Sequence, residues 1–179
     1  MADRRVAERF TGAFLFGALC AVLIFGRLLP LAQDPGRLPG PDLMLAMVFC
    51  WMVRRPDQLS PLLIGVVFFI ADLLLMRPPG LMAGFVVLAT EFLRSRRAAL
   101  ADIPFVAEWG IVSLTIFVVL LAQQTATVIF ALTPPSLGSV LFSGLMTSLT
   151  YPLITGVLRI GFGLRRAGPA EGPDYGGWG

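Results

Sequence analysis

The sequence predicts an all-α membrane protein, a bundle of six transmembrane helices. Three observations predict it. Of the 179 residues, 56% are hydrophobic and 14% charged, where a soluble domain carries about 45–50% and about 25%. So many apolar residues cannot be hidden in one modest core, and lipid is the expected solvent. Six apolar runs are separated by short breaks rich in Pro, Gly and Arg. The arginines gather in alternate breaks, as they do when the cytoplasmic side of a membrane keeps the positive charge.

Crossing the hydrocarbon core takes about 20 helical residues. Residues 10–31 form the first run. Arg4, Arg5 and Arg9 ahead of it have the look of a signal peptide. The run is longer than a signal core, however, no A-x-A site ends it, and Leu19 is a poor neighbour for lipoprotein processing at Cys20. An uncleaved first span is expected. QDPGRLPGP (residues 33–41) is a turn segment. The second run is short, residues 42–53, and RRPDQLSP breaks the chain at 54–61. The third run, residues 62–76, contains Asp72, and RPPG at 77–80 is a tight break. Residues 81–93 form the fourth run, followed by a basic stretch at 94–102. The fifth run covers 106–132, TPPS breaks it at 133–136, and the sixth covers 137–164. Residues 1–166 are thus read as one membrane domain. The Gly/Pro-rich tail, 167–179, is read as a disordered cytoplasmic segment.

The second, third and fourth runs are short for a bilayer. A twelve-residue helix is only about 18 Å long, so it must use flanking residues, thin the bilayer or sit among other helices. The alternative is a re-entrant pair that leaves four full spans. The arginines decide between them. With six crossings, Arg4, Arg5, Arg9, Arg54, Arg55, Arg94, Arg96, Arg97, Arg165 and Arg166 all fall on one side, and the other side has Arg37 and Arg77. That alternation predicts six spans with both termini in the cytoplasm. Trp51 and Trp109 are placed in an interfacial aromatic belt.

Ionisable residues inside a span are costly and are functional candidates by default. Arg27 and Asp72 each lie about one turn from the outer end of their spans, so they are candidates to pair. Arg77 sits at the boundary and can snorkel outward, and Glu91 has Arg94 at i+3 to neutralise it. An ion pair that fixes packing, a contact with a partner protein and an ion pathway are the three readings of these charges. A relay needs several charges near the midplane, which disfavours the last. Gly80 and Gly84 form a GxxxG motif. Ala13, Gly17 and Ala21 form a second small-residue stripe, and Ser139, Ser143 and Thr147 a third. All three are read first as internal packing faces and second as partner interfaces. Pro152 is expected to bend the sixth helix. Gln123, Gln124, Thr125 and Thr127 form a polar cluster that faces another helix or lines a small cavity.

Nothing in the sequence invites catalysis. It has no histidine, no G-x-S-x-G, no H-E-x-x-H and no P-loop. Cys20 and Cys50 lie in apolar runs and read as small hydrophobes, so no metal site or cofactor is expected. Every basic residue is an arginine, which points to a GC-rich, bacterial genome. The net charge of +3 is spread through membrane-flanking breaks, so nucleic acid is not an expected partner.

The segment PDLMLAMVFCW (residues 41–51), a basic RRP break and then GVVFFIADLLLMRPPGLMAGFVV (residues 65–87) resemble the bacterial rod shape-determining MreD family. That family carries Pro-Asp before a short second span, then a Gly…Asp signature and a Pro-Leu-Gly-like turn. Gly65, Asp72 and Gly80 or Gly84 take those places here, with Arg77-Pro78-Pro79-Gly80 departing from the usual turn. YPLITGVLRIGFGLRR (residues 151–166) is similar to the family's Pro-containing last span. The resemblance covers most of the chain. It implies a non-enzymatic scaffold in the inner membrane that binds MreC and supports peptidoglycan synthesis and rod shape. Through MreC it would connect to MreB, to RodA and to the class B penicillin-binding protein of RodA. It also implies a fold similar to the S components of energy-coupling-factor transporters. The alternative expectation is therefore a transporter subunit binding a small vitamin-type ligand. Arg27, Asp72, Arg77, Gly80, Gly84 and Pro152 are the structural or interface candidates, and membrane lipids are the expected surroundings.

Overall fold

The computed structural model describes residues 2–29, 40–101, 103–130 and 135–162, without the side chains of 2–8, 101 and 162. Arg37, Arg165, Arg166, the side chains of Arg4 and Arg5, and the tail 167–179 lie outside the described residues. Those residues form α1 (Ala2–Leu28), α2 (Leu43–Arg54), α3 (Pro61–Leu74), α4 (Leu81–Ser95), α5 (Arg97–Ala101), α6 (Phe105–Ile129) and α7 (Leu137–Phe162). A 3₁₀ turn at Pro56–Gln58 follows α2, and no strand is present among the described residues. Three helical segments, Arg9–Leu28, Phe105–Ile129 and Leu137–Gly161, are long and apolar enough to cross a membrane. The helices α2 and α3 are apolar but shorter. The short α5 occupies part of the stretch read from sequence as a basic break.

Local signals set the boundaries. Asp42 caps α2, its side chain accepting from the Leu45 N–H. Ser60 caps α3 in the same way through the Leu63 N–H, with Pro61 at the first helical position, where the absent N–H costs nothing. The third helix stops at Leu74, two residues before its apolar run ends. The Arg77 N–H bonds to the Asp72 carbonyl at 2.9 Å and the Met76 N–H to the Leu73 carbonyl at 3.4 Å. This pair of bonds is a Schellman closure, with Met76 in the left-handed region at φ 51°.

Two hairpins, α3–α4 and α6–α7, pack with α1 around a central α2. Every residue of α2 from Met44 to Met52 is buried, as expected of a helix apolar all round. It contacts α1, α4, α6 and α7. Its shortness therefore has a simple reason, since its neighbours cover both sides and both ends. The close α6–α7 approach is made at Gly144, where a Cβ would lie 2.7 Å from Phe117 Cε1. The outer faces of the helices carry large apolar side chains, among them Phe14, Leu62, Val106 and Ile160, while buried positions include Asp42, Arg54, Asp72, Thr90 and Glu108. Relative to a soluble domain, this is an inverted distribution.

Three sequence expectations are corrected here. Trp51 is fully buried, packs edge-on against Phe16 at 5.8 Å and donates to Gln58 Oε1 at 3.0 Å. It is a core residue, because α2 has no outward face on which a belt residue could sit. The packing face of α1 is Gly12, Phe16, Cys20 and Ile24, one position off the expected Ala13, Gly17 and Ala21, and Gly17 faces open space. The Gly80–Gly84 motif does not seat a helix among the described residues. Gly80 supplies a positive φ of 81° before α4, which only glycine adopts without strain. Gly84 has open space where a Cβ would be.

Candidate functional site

The candidate functional groups gather at the two ends of α2. At its N-terminal end, Asp42 is the hub. Arg27 from α1 and Arg77 from the α3–α4 turn both approach Asp42 Oδ2, at 3.5 Å and 3.6 Å. Arg27 also donates to the Pro41 carbonyl at 3.1 Å. The Asp42 N–H donates to Thr147 Oγ1 at 2.8 Å, and Ser143 donates to the Gly40 carbonyl. Two of the three residues in the expected Ser139–Ser143–Thr147 stripe thus receive the chain as it enters α2. Ser139 instead bonds Ser136 at the start of its own helix. Two guanidinium groups on one carboxylate leave this end with a surplus positive charge.

The anticipated Arg27–Asp72 pair is not formed, because the Asp72 carboxylate is turned the other way. Asp72 is 1% exposed, and its Oδ2 accepts from the Ala83 N–H at 3.3 Å. Ala83 lies in the first turn of α4, whose cap position is Gly80 with no side chain to offer. An unbonded N–H in such a place is expensive, so Asp72 acts as a cap supplied by the preceding helix. The aligned peptide dipoles at a helix N-terminus also favour its negative charge. Of the other pairings expected from sequence, Glu91 and Arg94 are in place at 3.3 Å.

At the C-terminal end of α2, a cluster appears that sequence reasoning missed. Arg54 Nη1 lies 3.0 Å from Glu108 Oε1, and the Tyr151 hydroxyl donates to the same oxygen at 2.6 Å. Glu108 and Tyr151 are fully buried and Arg54 is 5% exposed. Phe105 stacks on the Tyr151 ring, and Cys50 Sγ lies 3.4 Å from Thr155 Oγ1. Arg54 sits in the last turn of α2 and Glu108 in the first turn of α6, so each charge also complements its own helix dipole. The sequence places Arg54 among the loop arginines, whereas in the structure it is buried and paired. The signal that could have separated Glu108 from an ordinary flanking residue is its spacing from Val112, Thr115 and Val119, the buried face of α6. That helix is apolar all round, so the face does not show in the sequence.

Pro152 lies inside α7 and has no N–H for the carbonyl four residues back, which belongs to Ser148. The Trp109 indole N–H takes that carbonyl at 2.8 Å. Here, proline opens an acceptor that ties α7 to α6. Thr125 and Thr127 bond back to the carbonyls of Leu121 and Gln123, and Gln124 donates to the Pro135 carbonyl at 2.7 Å.

Two arginine-bearing ends result. Arg9 and Arg94 line one cavity with Asp57, which pairs with Arg97 at 3.6 Å, beside the C-terminal end of α2. Arg27 and Arg77 meet at the opposite end. The arrangement holds helices in place. Most of its polar groups make backbone caps, ion pairs and interhelical hydrogen bonds, while Asp72 Oδ1, Ser113 Oγ and Ser148 Oγ are buried without a hydrogen-bond partner among the described residues. In comparisons with family models, curated proteins and solved structures, the chain matches none of them.

Proposed function

We propose that this chain is a non-enzymatic scaffold of the MreD type. In this reading it crosses the bacterial inner membrane six times with both termini in the cytoplasm. It binds MreC and, through MreC, supports the peptidoglycan-synthesising complex of MreB, RodA and the class B penicillin-binding protein. One observation carries the reading. The residues that bear the resemblance are the ones that assemble the bundle: Asp42 of the Pro-Asp pair is the ion hub, Asp72 and Gly80 make the α3–α4 turn, and Pro152 opens the acceptor for Trp109. The gathering of Arg9, Arg94 and Arg97 at one end, and of Arg27 and Arg77 at the other, supports the six-crossing topology. The apolar outer surface supports the membrane location.

The transporter reading was motivated by the polar cluster of α6. The side chains of Gln124, Thr125 and Thr127 are bonded to their own helix and to the next turn, and no specific observation favours that reading. Co-purification in mild detergent tests the scaffold. The expected result is a stable complex with MreC, and failure of two folded proteins to associate would refute it.

A further inference from the structure

A cavity of about 500 Å³ opens at the end of the bundle that carries Arg9 and Arg94. It lies between the N-terminal part of α1, the 3₁₀ turn, the start of α3 and the end of α4. Its walls differ in chemistry. Phe10, Ala13 and Leu63 form an apolar side, while Arg9, Arg94 and Gln58 bring donors.

Each donor is held for a physical reason. Arg94 donates to the Leu59 carbonyl and lies 3.3 Å from Glu91, which anchors its guanidinium at the wall and leaves further N–H groups unused. Gln58 accepts from the Trp51 indole. An indole N–H can only donate, so the Gln58 oxygen must face it and the amide NH₂ is left over. Gly12 keeps Gln58 in this seat, since a Cβ there would run into the Gln58 side chain. Asp57 also lines the wall, in an exposed 3.6 Å pair with Arg97, and Glu91 is paired with Arg94. Arg9 makes no ion pair among the described residues and stands exposed at the mouth. The cavity is thus cationic at one side and greasy at the other. Guanidinium groups recognise phosphate through paired N–H donors.

We propose that this cavity binds the phosphate of an anionic phospholipid, with Arg9, Arg94 and Gln58 on the phosphate and Phe10, Ala13 and Leu63 along the start of an acyl chain. The proposal rests on the membrane location given above and is independent of MreC. The same phosphate chemistry is carried by soluble phosphate compounds, which a free-phosphate arm separates.

The test uses the full chain in detergent, with thermal unfolding and native mass spectrometry. Phosphatidylglycerol, phosphatidylcholine and inorganic phosphate are the probes. Phosphatidylglycerol is expected to be retained preferentially and to raise the unfolding temperature above that in phosphatidylcholine. Arg9→Gln should cut that preference about fivefold, the worth of one arginine near an anionic surface. Ala13→Leu, which fills the apolar side without changing charge, should also reduce it. Arg159→Gln, which removes an exposed arginine on α7 outside the cavity, should leave it intact. Equal losses in Arg9→Gln and Arg159→Gln would overturn the site in favour of diffuse attraction. Protection by inorganic phosphate equal to that by phosphatidylglycerol would overturn the lipid as its source. Resistance of the wild-type chain to extraction from carbonate-washed membranes reads the membrane location separately.

Discussion

Three buried carboxylates show how burial changes the meaning of a charge. Glu108 is shared by Arg54 and Tyr151, Asp42 by Arg27 and Arg77, and Asp72 by the backbone of α4. Removing one member of a buried pair strands the other, at a cost of about 3–5 kcal/mol. Glu108→Ala should therefore destabilise the bundle by that much in denaturant titrations in micelles. Joint replacement of Arg54 and Glu108 by Met should recover most of the loss, and a double mutant as unstable as Glu108→Ala would show that the pair is not the cause. Asp72 behaves differently because its task is acceptance, which an amide oxygen can also perform. Asp72→Asn should cost well under half of the Asp72→Ala loss, itself about 1–3 kcal/mol. Near-equal losses would refute the capping role. Asp72 was legible in the sequence because it stands in the middle of an apolar run. Asp42, Arg54 and Glu108 stand at run edges, where flanking charges are ordinary, and only their facing makes them different.

Among the elements, the α3–α4 turn and the α6–α7 pair carry specific bonds that the sequence half shows. RPPG announces a turn, but the left-handed residue that closes α3 is Met76, just ahead of that motif. A Cβ in that region costs about 1–2 kcal/mol, and the Met76 side chain is exposed, so little packing opposes its loss. Met76→Gly should raise stability by about 0.5–1 kcal/mol, read from the shift in unfolding midpoint; a decrease would refute backbone strain at Met76. Pro152 was legible as a helix interruption, but its consequence was not, because the partner of the freed Ser148 carbonyl is on another helix. Trp109→Phe keeps the ring and removes the N–H. It should cost about 1–3 kcal/mol for the stranded carbonyl, with a smaller loss in a Pro152→Ala background, where α7 can satisfy Ser148 itself. Equal losses in both backgrounds would detach Pro152 from this role.

For the whole molecule, the question the sequence left open was how short apolar runs fit a bilayer. α2 is enclosed on every side, so it need not match the hydrocarbon thickness as a lipid-facing helix must. The run lengths of the sequence carry no such information, because enclosure is set by neighbours distant in the chain. Among the described residues, Arg9, Arg94 and Arg97 gather at one end and Arg27 and Arg77 at the other, while Arg54 is buried in a pair that its place at a run edge does not show. The proposed topology can be tested at the ends of the bundle. Met76 is exposed beside the Arg27–Arg77–Asp42 end, and Ser95 is exposed beside the Arg94–Arg97 end. Six crossings put these two positions on opposite sides of the membrane. Cys20 and Cys50 are buried, so a wild-type background should be nearly silent to a membrane-impermeant maleimide. Met76→Cys should label in cells whose outer membrane has been permeabilised, and Ser95→Cys should label only after the inner membrane is opened. Labelling of both from the periplasm, or of neither until lysis, would put the two turns on one side and exclude the six-span topology.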